Sequence, residues 1–325
     1  MSYENEGIIK KSEMRLSIVL PIYNEEAVID ACLTKINEVA KSLNCSYEII
    51  AVDDGSIDMS LELLVSWMKI IRELRVLRLD KNLGHMSAIS AGLEASSGEY
   101  VVTIDSDLQD PPEHILEMLE LIDQPDKNGI RTEVIQAIRK DRSSDSFLKR
   151  TTASAYYKII RVVTGVEVIS DAADFRMMSR RVVNVLNSLP EKNKIYRILI
   201  PYLGFKTRTI DITREKRYAG QSKYNIKRMF TLALNSMVGF TFRPLRVVGV
   251  LGFALSILML ILAFFYFLLY IKYGDVPGWT SLVLLLLASN ALIIASMGLL
   301  GEYIGRLYQQ SQNRPESLWI ELKSE

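Results

Sequence analysis

The chain has 325 residues, 39 basic and 38 acidic, for a formal charge of +1, so no global field marks it as a nucleic-acid binder. Apolar residues make up 49% and charged residues 24%. That is the balance of an ordinary globular domain, but the last third is far more apolar than the rest. The two cysteines, Cys32 and Cys45, have no metal-ligand spacing and read as reduced thiols, which excludes a disulfide scaffold.

Residues 1–14 are polar and charged and lack an apolar h-region, so they read as a flexible leader and not as a signal peptide. From Arg15 the chain alternates strand, turn and helix. The apolar run 16–20 ends at Pro21 and predicts a buried strand. Residues 25–43 carry apolar side chains at helical spacing. Residues 47–52 predict a second strand, closed by the turn Asp53-Asp54-Gly55-Ser56. Asp58 is placed to start a helix that runs to about position 71. Residues 75–79, 85–95 and 100–104 predict a strand, a helix and a fourth strand that ends at Asp105. Further strands are expected at 134–138, 175–178 and 205–212, and a basic helix at 147–163. Alternating strands and helices predict a mostly parallel, doubly wound α/β sheet. Ligands in such sheets bind outside the carboxyl ends of the strands. Residues 21–25, 53–56 and 105–107 should therefore converge on one crevice.

Residues 225–246 mix large apolar side chains with Lys227, Arg228 and Arg243, the pattern of amphipathic helices lying in a headgroup layer. Residues 247–271 are almost wholly apolar. As a helix they reach about 37 Å, enough to cross a hydrocarbon core of about 30 Å. A second uncharged run, 282–300, places a second span at 282–304. Lys227, Arg228, Arg243 and Arg246 flank the first span and Arg306 and Arg314 follow the second. Both flanks, including a tail at 305–325, are thus expected in the cytoplasm and the short loop outside. Gly298 and Gly301 offer a surface on which another subunit could pack.

Asp105 and Asp107 stand one residue apart at a strand end, where both can reach one hard cation such as Mg²⁺ or Mn²⁺. Such a cation neutralises a departing diphosphate. Asp53 and Asp54 end the second strand, where a carboxylate can accept hydrogen bonds from a base or ribose. Tyr23 could stack on a base, and Glu25 could bond a ribose or support the first helix. No phosphate-loop or dinucleotide fingerprint occurs. His114 reads as structural; His85 could lie near a nucleotide, but reads first as a helix cap.

The order P-x-Y-N-E, V-D-D-G-S, N-x-G-x-x-x-A and D-S-D-L-Q-D-P-P-E resembles the family 2 glycosyltransferases. These have a nucleotide-sugar-binding GT-A fold. The likeness is stronger to polyprenyl-phosphate glycosyltransferases of the bactoprenol glucosyltransferase and dolichyl-phosphate mannose synthase type. It runs from about Arg15 to Tyr224 and implies a catalytic domain at 15–224, followed by the juxtamembrane helices and two transmembrane helices. It also implies a role for each matching residue. Asp105, Asp107 and Gln109 match the metal-binding D-x-D-x-Q. Pro21, Tyr23, Glu25, Asp53, Asp54, Asn82, Gly84 and Ser106 match donor contacts. Arg217, Ser222 and Lys223 belong to a stretch before the membrane that closes over the diphosphate. Arg139, Arg150 and Ser154 match the groups that meet the acceptor phosphate. Asp174 lies in a D-F-R segment near the donor sugar. Residues 142–149 have no counterpart.

The implied activity is inverting transfer of a hexose, glucose from UDP-glucose foremost, to undecaprenyl or another polyprenyl phosphate, with Mg²⁺ or Mn²⁺. The implied location is multi-pass in a bacterial inner membrane, with the catalytic domain cytoplasmic. The competing readings are transfer to a lipid hydroxyl, as in ceramide or diacylglycerol glycosylation, and a non-catalytic nucleotide-binding scaffold.

Overall fold

The computed structural model describes residues 14–125, 129–139, 169, 172–191, 194–213, 243–274, 278–312 and 318–323. They fall into two compact units: one holds the sheet and takes in residues 315–325, and the other contains residues 224–314.

The sheet unit begins with β1 (Leu16–Ile22), buried along its whole length. There follow α1 (Ile29–Ser42), β2 (Tyr47–Asp53), α2 (Ser60–Met68), β3 (Leu74–Leu79), α3 (His85–Ala95), β4 (Tyr100–Thr103) and α4 (His114–Asp123). Next come β5 (Val134–Arg139), β6 (Ala172–Ser179), α5 (Arg180–Ser188), α6 (Tyr196–Tyr202) and β7 (Thr207–Ile212). Helix α1 starts later than its apolar spacing predicts. The Glu25 carbonyl accepts from Val28 and Ile29 in a turn before the helix. From there Ile29, Leu33, Ile36 and Val39 bury one face in the core, as an amphipathic helix over a sheet should.

With a last strand, β8 (Trp319–Leu322), the strand order is β7-β5-β6-β4-β1-β2-β3-β8. Strands β4, β1, β2 and β3 run parallel, as do β5 and β7. The sheet is mostly parallel, as expected, with two strands reversed. β6 is antiparallel to both β4 and β5, and β8 is antiparallel to β3. The direction of β6 is invisible in its residues because it is buried on both faces, which is also how a parallel strand reads.

That reversal positions the site. β6 begins where β4 ends, with Thr103 opposite Arg176. β5 ends where β6 begins, with Ile138 opposite Ala172. Asp105, Asp174 and Arg139 are therefore delivered to one edge of the sheet. On the other side of β1, Ile22 stands opposite Asp53.

The outer edge is closed by β8, within the segment 305–325 expected as a tail. Arg75 on β3 donates through Nε and Nη2 to the two carboxylate oxygens of Glu321, at 2.7 and 3.0 Å. Its Nη1 donates to Glu48 Oε2 at 2.6 Å. Glu48 is buried and also accepts from Ser17 Oγ and from Ser97 N and Oγ. These donors hold its carboxyl below the ordinary value despite burial.

The second unit contains α7 (Arg243–Tyr273) and α8 (Trp279–Ser311), which contact each other. Val248–Tyr273 and Leu285–Gly305 are each long and apolar enough to cross a membrane. Their large side chains, Phe253, Leu260, Phe264 and Ile294 among them, are exposed. The first helix begins at Arg243, inside the segment expected to be amphipathic. The rest of that segment, 225–242, and the predicted helix 147–163 lie outside the described residues.

Candidate active site

The loops after β1 and β2 are laced together. Asn24 donates its backbone N–H to Ser56 Oγ at 3.0 Å, Glu25 to Ser60 Oγ at 2.9 Å, and Ile57 to Asn24 Oδ1 at 2.9 Å. Gly55 is required here. Its φ is +66°, and a Cβ would stand 2.7 Å from the backbone N of Asn82, so a side chain would be both strained and blocked.

Asp53 is fully buried and accepts from the Ser56 N–H; burial raises its pKa, against the pull of Ser56. Asp54 is committed to the next loop. Its Oδ1 accepts from the Leu83 N–H at 2.8 Å, and its Oδ2 from Gly84 N and Asn82 Nδ2 at 2.9 and 3.0 Å. Asp54 and Asn82 thus shape the turn before α3. Pro21 lends its carbonyl to Ser106 Oγ at 3.2 Å, tying the β4 loop to the β1 loop.

In the β4 loop, Leu108 has φ +57°, and Asp107 Oδ1 accepts from the Gln109 N–H at 3.1 Å. Asp105 is the central group. Burial, with Asp174, Asp107 and Asp110 nearby, pushes its carboxyl up to about 6, while His85 opposes the shift. His85 does not hold the cap position, which belongs to Gly84; it is the first residue of α3. Its Nε2 lies 3.5 Å from Asp105 Oδ1 and 3.8 Å from Asp174 Oδ2.

Asp174 is held from several sides. Arg176, fully buried beneath it, donates Nη2 to Oδ1 at 2.6 Å, and Arg197 from α6 approaches Oδ2 at 3.5 Å. Burial alone would raise the Asp174 pKa, but Arg197 and Arg176, with His85 and Arg139, hold it below the ordinary carboxylate value. At the end of β5, Arg139 donates Nε and Nη2 to the two oxygens of Asp110, at 3.2 and 2.8 Å.

These residues fit a divalent cation. Carboxylates gathered at a strand end, with Asp105 raised chiefly by burial, form a hard-oxygen donor set whose charge a cation would offset. Among the described residues no three or more His, Cys, Asp or Glu side chains gather as a cage. Asp105 and Asp107 would thus be a partial set, with substrate oxygens as the remaining ligands.

Residues 17–186, more than half of the chain, match the glycosyl transferase family 2. The chain belongs to that family. An uncharacterized glycosyltransferase of Bacillus subtilis (strain 168) is 35% identical over 96% of this transferase and 94% of its own length. The bactoprenol glucosyl transferase of Shigella phage SfV is 33% identical over 93% and 97%. Glucosyl-3-phosphoglycerate synthase from Mycobacterium tuberculosis, solved with Mn²⁺ and UDP, is 16% identical over 69% of this chain and 78% of its own, with a TM-score of 0.48.

Of the site residues named from sequence, Asp105, Asp107, Gln109, Asp174 and Arg139 stand at the ends of β4, β6 and β5. Pro21 and Asp53 stand in the last residues of β1 and β2, and Tyr23, Glu25, Asp54, Asn82, Gly84 and Ser106 in the segments that follow β1, β2, β3 and β4. Arg150, Ser154, Arg217, Ser222 and Lys223 lie outside the described residues. The sequence gives Asp110 and Arg197 no role in this cluster, places Arg176 only within the D-F-R segment, and favours a cap for His85. Asp110 carried a usable signal, since it directly follows the D-x-D-x-Q run. Arg197 carried none, because α6 is too short for a periodic pattern.

Proposed function

We propose that this glycosyltransferase moves a hexose, glucose from UDP-glucose foremost, onto polyprenyl phosphate with inversion, at the face of a bacterial inner membrane. The observation that carries the reading is the meeting of Asp105 and Asp107 with Arg139 and an ionised Asp174 at one sheet edge. The bactoprenol glucosyl transferases, alike over nearly the whole chain, support the lipid acceptor.

The chemistry follows from the groups. An acceptor phosphate oxygen attacks the anomeric carbon as the bond to the nucleoside diphosphate breaks. That oxygen arrives charged, since a phosphate monoester has a second pKa near 6, so no strong base is needed. An Asp174 held below the ordinary carboxylate value is unsuited to take a proton and suited to orient sugar hydroxyls. Arg139, joined by Arg150 and Ser154, holds the attacking phosphate through charge-assisted hydrogen bonds. Asp53, Tyr23, Glu25 and Ser106 shape the nucleotide side, and Arg217, Ser222 and Lys223 close over the diphosphate. Mg²⁺ or Mn²⁺ on Asp105, Asp107 and Gln109 would neutralise charge on the leaving diphosphate.

Membrane insertion rests on α7 and α8, whose apolar side chains would otherwise face water. β8 supports a two-span hairpin. The sheet unit precedes α7, and the chain rejoins the same sheet after α8, so the number of crossings must be even. The flanking basic residues then favour the cytoplasmic side for the sheet unit.

The test is to incubate membranes containing the full chain with a panel of radiolabelled nucleotide-sugars and polyprenyl phosphate. UDP-glucose label should enter the lipid phase and be lost on chelation. Label from another nucleotide-sugar alone would replace the donor, and label in no lipid would overturn the reading.

A further inference from the structure

Arg139 does not stand alone at the end of β5. Asp110, only 1% exposed in its side chain, grips it side-on, whereas Arg139 is 26% exposed. The pair uses Nε and Nη2 of the guanidinium. A guanidinium has a second two-pronged edge, formed by Nη1 and Nη2, and that edge suits a phosphate. A carboxylate bound side-on fixes the plane of the group without occupying the end-on edge. Asp110 also lies three residues beyond Asp107 in the β4 loop. One ion pair therefore joins the loop that carries the proposed cation ligands to the strand end that carries the acceptor arginine.

We propose that Asp110 is a positioning residue for acceptor phosphate, acting through Arg139; this rests on the reading of Arg139 as an acceptor contact. Two physical effects of Asp110 have opposite signs. Its negative charge repels a phosphate, so if charge dominated, neutralising it would tighten acceptor binding. Its side-on grip orients the guanidinium, so if positioning dominates, neutralising it loosens acceptor binding. A buried bidentate pair spares the phosphate the entropy of ordering a long side chain, and on that ground positioning prevails.

The experiment measures steady-state kinetics of the full chain in detergent with undecaprenyl phosphate and UDP-glucose, varying each in turn. Asp110→Asn should raise the acceptor KM about tenfold, the loss of one oriented charge-assisted contact, and move the donor KM less than about twofold. Arg139→Ala should raise the acceptor KM at least as much. Adding Asp110→Asn on the Arg139→Ala background should change the acceptor KM no further. A fall or no change in acceptor KM for Asp110→Asn, with Arg139→Ala still raising it, overturns the positioning role and leaves the Arg139 reading standing. An equal rise in donor KM assigns Asp110 to the cation loop and also overturns it. No effect of Arg139→Ala on the acceptor KM, or no transfer by the wild type, overturns the reading beneath both. If Asp110→Asn does not fold, Arg139→Lys decides, because it keeps the charge and loses the side-on fork. The acceptor KM should again rise about tenfold, and an unchanged value overturns the proposal.

Discussion

In the proposed reaction Asp105 is the first cation ligand. Its carboxyl, raised to about 6 by burial and by neighbouring carboxylates, is protonated more readily in the folded chain than in the unfolded one. Ionisation therefore costs stability as pH rises from the ordinary carboxylate range through about 6, and a bound cation offsets that cost. Added Mn²⁺ should then raise the melting temperature more at pH near 7.5 than at pH near 5, and Asp105→Ala should abolish the difference. An equal Mn²⁺ shift at both pH values would remove Asp105 from the cation site. Cys32 is inert by the same physics, its thiol buried and pushed up to about 12.

At the scale of elements, what the sequence showed and what it hid have different causes. Helix α3 has the predicted bounds, 85–95, because Gly84 and the Asn82 turn fix its start and the Ser96-Ser97-Gly98 turn its end. Strands β1 to β4 were legible as apolar runs stopped by turn residues. The direction of β6 was not, because burial on both faces erases the alternation that would distinguish it. That hidden direction is what brings Asp174 beside Asp105. β8 was hidden for another reason, since four residues after two apolar helices look like a tail until β3 pairs with them. The Glu48–Arg75–Glu321 network gives this pairing a measurable cost. Arg75→Ala leaves the buried Glu48 short of a charged donor and unties Glu321. It should destabilise the sheet unit by about 2–3 kcal/mol, read as an earlier denaturation midpoint of the full chain in detergent. A loss below about 0.5 kcal/mol would place the network among ordinary surface ion pairs.

Strand β8 follows α8 in the chain and pairs with β3. If α7 and α8 each cross a bilayer, as proposed, the sheet and residues 319–322 lie on one side of it and the α7–α8 connection on the other. A membrane-impermeant thiol reagent added outside intact cells should label Gly274→Cys and spare Ser324→Cys. Labelling of both, or of Ser324→Cys alone, would contradict the two-span arrangement.

In the proposed reaction a charged lipid phosphate, not a hydroxyl, attacks the sugar, and two acceptors that differ in that group alone test it. The full chain is given UDP-glucose and a divalent cation with either undecaprenyl phosphate or undecaprenol. Glucose transfer to the phosphate is expected, with at least a thousandfold slower transfer to the alcohol, about 4 kcal/mol in the barrier, because Asp105 is proposed to be committed to the cation and Asp174, held below the ordinary carboxylate value, is unsuited to take the hydroxyl proton. Comparable rates with both would contradict the proposed attack by phosphate.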